Sequence, residues 1–140
     1  MPYITQAEIL SDIPPQTLLE ALDDDGDGVA DADAWDKVEA AAAEAIDGPL
    51  SQRYSTPFVT VPPFIKFAAR VLVLEKLYLR RGLAGDANPW TSQAKGVRAK
   101  LDLIAAGKEP LSPEVNKPKP SISAITEPAG TTLKNGGILA

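Results

Sequence analysis

The segment from Pro63 to about Arg81 constrains the fold more than any other part of the chain. Lys66, Arg70 and Arg81 mark a narrow polar side of this predicted helix. The apolar residues cover most of its remaining surface: Phe64, Phe67, Ala68, Val71, Leu72, Leu74 and Tyr78. A helix that is apolar on most sides has to be buried by its neighbours. The segment therefore predicts a central core helix.

Two short helices are predicted before it. Thr5 followed three residues later by Glu8 has the capping-box spacing, which predicts a helix starting near Gln6. Pro14-Pro15 ends that helix and can open the next one, since proline is accepted in a first helical turn. The second helix has one apolar face formed by Leu18, Leu19 and Leu22.

Two longer helices flank the central one in sequence. The first is predicted from about Asp33 to Ile46 by an apolar stripe at helical spacing, formed by Trp35, Val38, Ala42, Ala45 and Ile46. Gly48-Pro49 is expected to stop or kink it, because proline removes a helical donor. The second is predicted from about Trp90 to Ala106, with Gly107 as its stop.

These patterns predict an all-α fold, a small bundle of about four to five helices around a central core helix. The predicted organisation is a helical domain at residues 1–107 and an extended, Pro-rich C-terminal arm at residues 108–140. Isolated apolar residues between prolines bury too little surface to order such a segment by themselves. We expect the arm to lay these side chains into a partner, while the alternative is a frayed terminus. The predicted anchors are Leu111, Val115, Ile122, Ile125, Leu133, Ile138 and Leu139.

The chain contains neither cysteine nor histidine. Disulfides, thiolate nucleophiles, cysteine-based zinc sites and Ser–His–Asp triads are therefore excluded. Only carboxylate or lysine chemistry is left for catalysis, and no motif supports it, so no enzymatic activity is expected. The first residues have no basic region or apolar core, and charges interrupt the most apolar stretch. We therefore expect a soluble protein without a signal peptide or a membrane partner.

The two parts of the chain carry opposite charge. Residues 1–50 have a net charge of −12, whereas residues 51–140 have a net charge of +7. Such asymmetry is typical of an interaction surface.

An acidic loop follows the second predicted helix and resembles the opening of an EF-hand calcium loop. Gly28 stands at its sharp-turn position, but Ala34 stands where a bidentate Glu is required. The missing Glu favours an acidic turn in which an Asp caps the next helix, so no cofactor is expected, and the alternative is a weak Ca²⁺ site. The carboxylates at loop positions 1, 3, 5 and 9 are Asp23, Asp25, Asp27 and Asp31.

Several short segments, taken in order, resemble one known family, the small head–tail connector (adaptor or head-completion) proteins of Mu-like tailed phages. The resemblance covers about residues 3–82. It departs at Pro49, where a helix-compatible residue is expected. The segments that carry it are Tyr3–Leu10, Asp25–Asp31, Ala45–Gly48, Arg53–Pro57 and Val61-Pro62.

The resemblance implies an all-α virion protein made in the bacterial host cytoplasm and located in the neck, between head and tail. It implies a ring beneath the portal, typically twelvefold. That ring extends the DNA channel without sequence-specific DNA binding and docks the next neck or tail-completion protein. In such a ring two uses of the acidic half remain open: one face of a contact between subunits, or a surface that repels DNA. It also implies that the C-terminal arm reaches the portal. The alternative function is a small calcium-binding interaction module that uses the Asp23–Asp31 loop.

Overall fold

The computed structural model describes residues 3–111, which form five α-helices and no β-strand. The helices are α1 (Gln6–Ile9), α2 (Pro15–Leu22), α3 (Ala34–Leu50), α4 (Pro63–Arg80) and α5 (Thr91–Ala105), with a 3₁₀ turn at Gly85–Ala87. Helices α3, α4 and α5 pack on one another, and α2 packs on α4. The predicted all-α bundle around a central helix is therefore confirmed, and α4 is that helix.

Helix α4 lies in the core along almost its whole length. Pro63 occupies its first position, where the missing N–H would have no partner inside the helix. Its buried apolar side chains are Ile65, Ala68, Ala69, Val71, Leu72, Val73, Leu74 and Leu77. Phe67 differs from the prediction, since it is 44% exposed and lies outside the core. The helix is thus buried on most sides but not on the side of Phe67.

Helix α3 runs through Gly48-Pro49 and ends at Leu50, one residue after the proline, so of the two expected effects the stop before Gly48 was wrong. The proline lies in the last turn, where its missing N–H leaves the Ala45 carbonyl without its helical partner. Ser51 satisfies two carbonyls there: its backbone N–H donates to Asp47 and its hydroxyl donates to Gly48. Leu50 is fully buried. Burying a leucine stabilises the fold by about 1.5–3 kcal/mol, which offsets much of the proline's cost.

The buried line of α3 also differs in part from the predicted stripe. Its members are spaced four residues apart: Ala34, Val38, Ala42, Ile46 and Leu50. Ala45, predicted to lie in the stripe, is exposed, and Trp35 is only partly buried. Trp35 and Ala45 lie on the two opposite flanks of this buried line, and Trp35 packs against the core from its edge.

Helices α4 and α5 end in the same way. Gly82 and Gly107 follow the last turns with φ of +86° and +79°, a backbone region that glycine occupies at little cost. After Gly107, the Lys108 N–H donates to the Leu103 carbonyl, and the Gly107 N–H donates to the Ile104 carbonyl. This is the Schellman arrangement, and it confirms Gly107 as the stop of α5.

The polar side of α4 is covered by the N-terminal segment. Each of four basic side chains on or just after α4 pairs with an acid of residues 8–24. The pairs are Lys66–Glu8 (2.8 Å), Arg70–Asp12 (3.4 Å), Arg80–Asp24 (2.6 Å) and Arg81–Glu20 (2.9 Å). Part of the charge asymmetry between the two halves is therefore neutralised within the subunit, where it aligns the N-terminal segment along α4.

Candidate functional site

Tyr3 connects three distant parts of the chain and shapes the surface beside α3. Its side chain is 2% exposed. Its hydroxyl donates to the Asp47 carboxylate (2.6 Å) and accepts from the Phe58 N–H (2.9 Å). Its backbone N–H donates to Glu39 (3.1 Å). Burial, together with the hydrogen bond to Asp47, raises the Tyr3 pKa well above its usual range, so the hydroxyl stays protonated.

A shallow groove of about 780 Å³ lies next to this contact. Its floor is the alanine run of α3 (Ala40, Ala41 and Ala43), and Pro57 forms part of its wall. Four charged residues complete the lining: Lys37, Glu39, Glu44 and Asp47. Lys37 is already paired with Asp33 at 3.1 Å. Within residues 3–111, none of the three carboxylates has a cationic group within 4.0 Å, so the rim is acidic.

The opposite flank of α3 faces α5. Ala45 and Pro49 line a small hollow together with Arg98, Leu101 and Asp102 of α5. At 3.6 residues per turn, these α3 positions lie on the other side of the buried line from Glu39, Ala43 and Asp47. The groove and α5 are therefore on different sides of the same helix.

The outward side of α5 has little side-chain bulk and a small excess of basic residues, since Asp102 is exposed there beside Lys95 and Lys100. Lys95, Gly96, Ala99 and Leu103 are all exposed. Lys95 has no carboxylate within 4.0 Å in the part of the chain that the structure describes, and Lys100 is 3.8 Å from Glu109. A Cβ built on Gly96 would meet nothing within 4 Å. Two surfaces of opposite charge thus occur on one helical core.

The acidic loop between α2 and α3 brings three of its four predicted ligands together. One carboxylate oxygen from each of Asp23, Asp25 and Asp27 lies within 4.8 Å of the others. Ca²⁺ binds oxygens at about 2.3–2.6 Å, so ligands on opposite sides of the ion are about 5 Å apart. The three carboxylates are therefore close enough to share one cation.

Backbone N–H groups hold this loop in place. The Asp23 carboxylate accepts from Gly28 (2.8 Å), Gly26 (2.9 Å) and Asp27 (3.3 Å). These bonds, with that from Gly28 the strongest, lower the Asp23 pKa. For Asp25, the Asp27 N–H acts in the same direction, but the neighbouring Asp23 and Asp27 carboxylates outweigh it and raise the pKa. The loop thus concentrates negative charge that a cation would neutralise.

Two positions of the loop depart from a complete calcium site. Asp31 is outside the cluster among the residues the structure describes, and its carboxylate accepts the Asp24 N–H at 3.0 Å. Ala34, at the position of the required Glu, is buried at the start of α3. Asp33 is the N-cap of α3, but no side-chain hydrogen bond caps the helix there. Three carboxylates are thus available where a calcium loop uses more.

Of the predicted anchors of the C-terminal arm, the structure describes only Leu111. Leu111 is 8% exposed and belongs to the core cluster of its own subunit. The other six lie outside residues 3–111, and their role in binding a partner stays a prediction: Val115, Ile122, Ile125, Leu133, Ile138 and Leu139. The boundary at Gly107 also stays a prediction, although residues as far as Leu111 pack on the helical body.

Sequence patterns did not single out the groove beside α3. The signal present was the alanine run 40–43, since alanines on the open side of a helix leave its backbone accessible to a neighbour. Nothing in the sequence indicated that Tyr3 would bond to Asp47 and Phe58, which are 44 and 55 residues away.

The family model described as Bacteriophage Mu, Gp36 matches residues 3–126, which is most of the chain. The chain belongs to this bacteriophage Mu Gp36 family. The resemblance to proteins of Mu-like phages is thereby confirmed, and so is the assignment to a phage protein. The match includes the whole described body and continues into the predicted arm. No curated protein matches this member of the Gp36 family.

None of the helices in residues 3–111 of this Gp36-family protein is long and apolar enough to cross a bilayer.

Proposed function

We propose that this Gp36-family protein is a structural component of the virion, a head–tail connector that forms a ring beneath the portal. In this role it extends the DNA channel and docks the next neck or tail-completion protein. The observation that carries the proposal is the family match over residues 3–126, because it includes both the helical body and much of the Pro-rich segment. A connector requires a body that forms the ring and a segment that extends from it to a neighbouring protein.

The surface of the body supports the same proposal. A ring with head-to-tail contacts requires two different faces on each subunit. The acidic groove beside α3 and the basic outer side of α5 are two such faces. The excess of acidic residues before residue 51 also suits a channel through which DNA has to pass without binding. The proposed role is mechanical, without a catalytic step, and the ring is twelvefold to match the portal.

Binding to the portal tests the proposal directly. Full-length protein is mixed with purified portal rings and the complex is isolated by size exclusion. Co-elution in a fixed ratio supports the connector role, and no co-elution at micromolar concentrations contradicts it.

A truncation then tests the role of the arm. A chain ending at Leu111 keeps the complete described body, whereas one ending at Gly107 removes the buried Leu111 side chain. We expect the chain ending at Leu111 to fold but to bind portal at least about tenfold more weakly. Equal binding by the truncated and full-length proteins would show that the arm does not contact the portal.

The second candidate function is that of a small calcium-binding interaction module. It is favoured by the close approach of Asp23, Asp25 and Asp27. Calorimetry with millimolar CaCl₂ measures binding, with Asp25→Asn as the test variant and Asp36→Asn, on α3, as the matched control. Heat that is lost only in Asp25→Asn supports the site. Neither heat nor a thermal shift in the wild type excludes it.

A further inference from the structure

We infer that the groove beside α3 is the binding site for the outer side of α5 of a second copy of this chain. The inference rests on the proposed ring and deepens it, since it assigns the two faces that meet. The groove surface is defined by Ala40, Ala43, Glu44, Asp47 and Pro57. The α5 surface is defined by Lys95, Gly96, Ala99, Lys100 and Leu103.

The shapes of the two surfaces fit each other. The groove is an open depression whose floor consists of alanine side chains. The outer side of α5 is convex, with Gly96 and Ala99 at its middle. Small residues on both sides let two helix backbones approach closely and pack by van der Waals contact.

Gly96 gives a second, independent argument. A glycine within a helix destabilises it by about 1 kcal/mol relative to alanine. The subunit itself does not require glycine here, because an added Cβ would meet nothing within 4 Å. A helix from a neighbouring copy seated on this position explains why a side chain is absent.

The charges of the two surfaces are complementary, and Glu44 is the rim carboxylate that Tyr3 does not already bind. Glu39, Glu44 and Asp47 form the rim of the groove without a cation within 4.0 Å, among residues 3–111. Lys95 on α5 likewise has no carboxylate partner there, whereas Lys100 lies 3.8 Å from Glu109 and 4.8 Å from the centre of the Phe64 ring of its own subunit. Complementary charges of this kind guide encounter and fix the register of the contact. An acidic rim also repels a polyanion, which argues against nucleic acid as the occupant.

The position of the two surfaces makes the contact head-to-tail. The groove and α5 lie on different flanks of α3, so a subunit can use both at once with two different neighbours. Such heterologous contacts produce a closed ring when the rotation closes. The same geometry leaves no reason for the assembly to stop at a dimer.

Disulfide trapping tests the contact, because the chain has no cysteine of its own. Full-length Ala40→Cys and Ala99→Cys proteins are mixed at high concentration and oxidised. We expect a mixed disulfide between the two variants and little product from either variant alone. Ala84→Cys, an exposed alanine in the turn after α4, is the matched control for Ala99→Cys. No mixed product, or equal product with the control, overturns the inference.

A charge exchange gives the second measurement. Lys95→Glu and Glu44→Lys should each raise the concentration needed for assembly at least about tenfold. The double variant should bring that concentration most of the way back to the wild-type value. Lys76→Glu on α4 is the control and should leave assembly unchanged. If the wild type forms rings and binds portal but none of these variants changes the concentration needed for assembly, the proposed ring is supported and the assigned faces are wrong. If the thiol introduced by Ala40→Cys is protected from alkylation in the monomer, residues 112–140 fill the groove, which also overturns the inference.

Discussion

The hydroxyl of Tyr3 lies 2.6 Å from the Asp47 carboxylate and at the same time accepts a hydrogen bond from the backbone of Phe58. One buried side chain near the N-terminus therefore joins α3 to the segment before α4. Pro57, next to Phe58, forms part of the wall of the groove. The geometry of that surface thus depends on a residue far from it in sequence.

Replacing Tyr3 with phenylalanine removes both hydrogen bonds of the hydroxyl while keeping the ring. Asp47 and the Phe58 N–H then lose a partner, and such losses cost about 1–3 kcal/mol. We expect Tyr3→Phe to lower the free energy of unfolding, measured in urea, by that amount. Tyr78→Phe on α4 is the matched control, because the Tyr78 ring packs edge-on against the Trp90 ring and phenylalanine keeps that ring contact. Equal losses in the two variants would contradict the bridging role of the Tyr3 hydroxyl.

Replacing Glu75 and replacing Arg98, which form an ion pair, should lower the free energy of unfolding by different amounts. The groups are 2.6 Å apart, but the Glu75 side chain is 11% exposed and the Arg98 side chain 51%. Arg98→Gln leaves a largely buried carboxylate unpaired, which we expect to cost about 1–3 kcal/mol. Glu75→Gln leaves a cation that can turn to water, so its cost should be below about 1 kcal/mol. Urea unfolding at neutral pH measures the free energy of unfolding of both variants. A larger loss in Glu75→Gln than in Arg98→Gln would show that burial of the unpaired group does not decide the cost.

Gly107 and Gly82 occupy the same position in two Schellman motifs but differ in their surroundings. A Cβ on Gly82 would meet nothing within 4 Å, whereas one on Gly107 would approach the Arg53 guanidinium to 2.9 Å. Gly82→Ala should lower the free energy of unfolding by about 1–2 kcal/mol, because φ is positive. Gly107→Ala should cost more, since Arg53 must also move. Thermal melts of both variants measure this difference. An equal loss of stability in Gly82→Ala and Gly107→Ala would show that the Arg53 side chain moves aside at no cost.

The Glu8–Lys66 pair predicts a pH dependence of stability. The hydrogen bond from Lys66, followed by that from the Thr5 N–H, lowers the Glu8 pKa in the folded state. A lowered folded-state pKa stabilises the fold above the unfolded-state value of about 4.3, and the contribution is lost as pH falls through the folded-state value. Lys66→Gln should therefore be less stable than the wild type at neutral pH, by no more than about 1 kcal/mol at this exposure.

That difference in melting temperature should disappear in acid, where Glu8 is protonated in both states. Lys76→Gln is the control, because Lys76 is exposed and has no acidic partner within 4.0 Å among residues 3–111. A difference between Lys66→Gln and the wild type that is constant from neutral to acidic pH would exclude the carboxylate as its cause.

The sequence by itself determined the helices and most of their ends. The capping box at Thr5 and Glu8 forms as predicted, with the Thr5 N–H donating to Glu8 at 3.0 Å. The proline starts of α2 and α4 and the glycine stop of α5 were also predictable. These features depend on residues within about one helical turn of each other, so the local sequence is enough to predict them.

Only the tertiary structure decided the features that join distant residues. Pro49 stays inside α3 because Leu50 is buried in the core and Ser51 satisfies the last carbonyls. Four basic residues on or next to α4 pair with N-terminal acids instead of facing only solvent. Tyr3 joins Asp47, on the rim of the groove, to Phe58, which follows Pro57 in its wall. In each case the free energy comes from contacts across the fold, and the spacing of residues along the chain does not specify them.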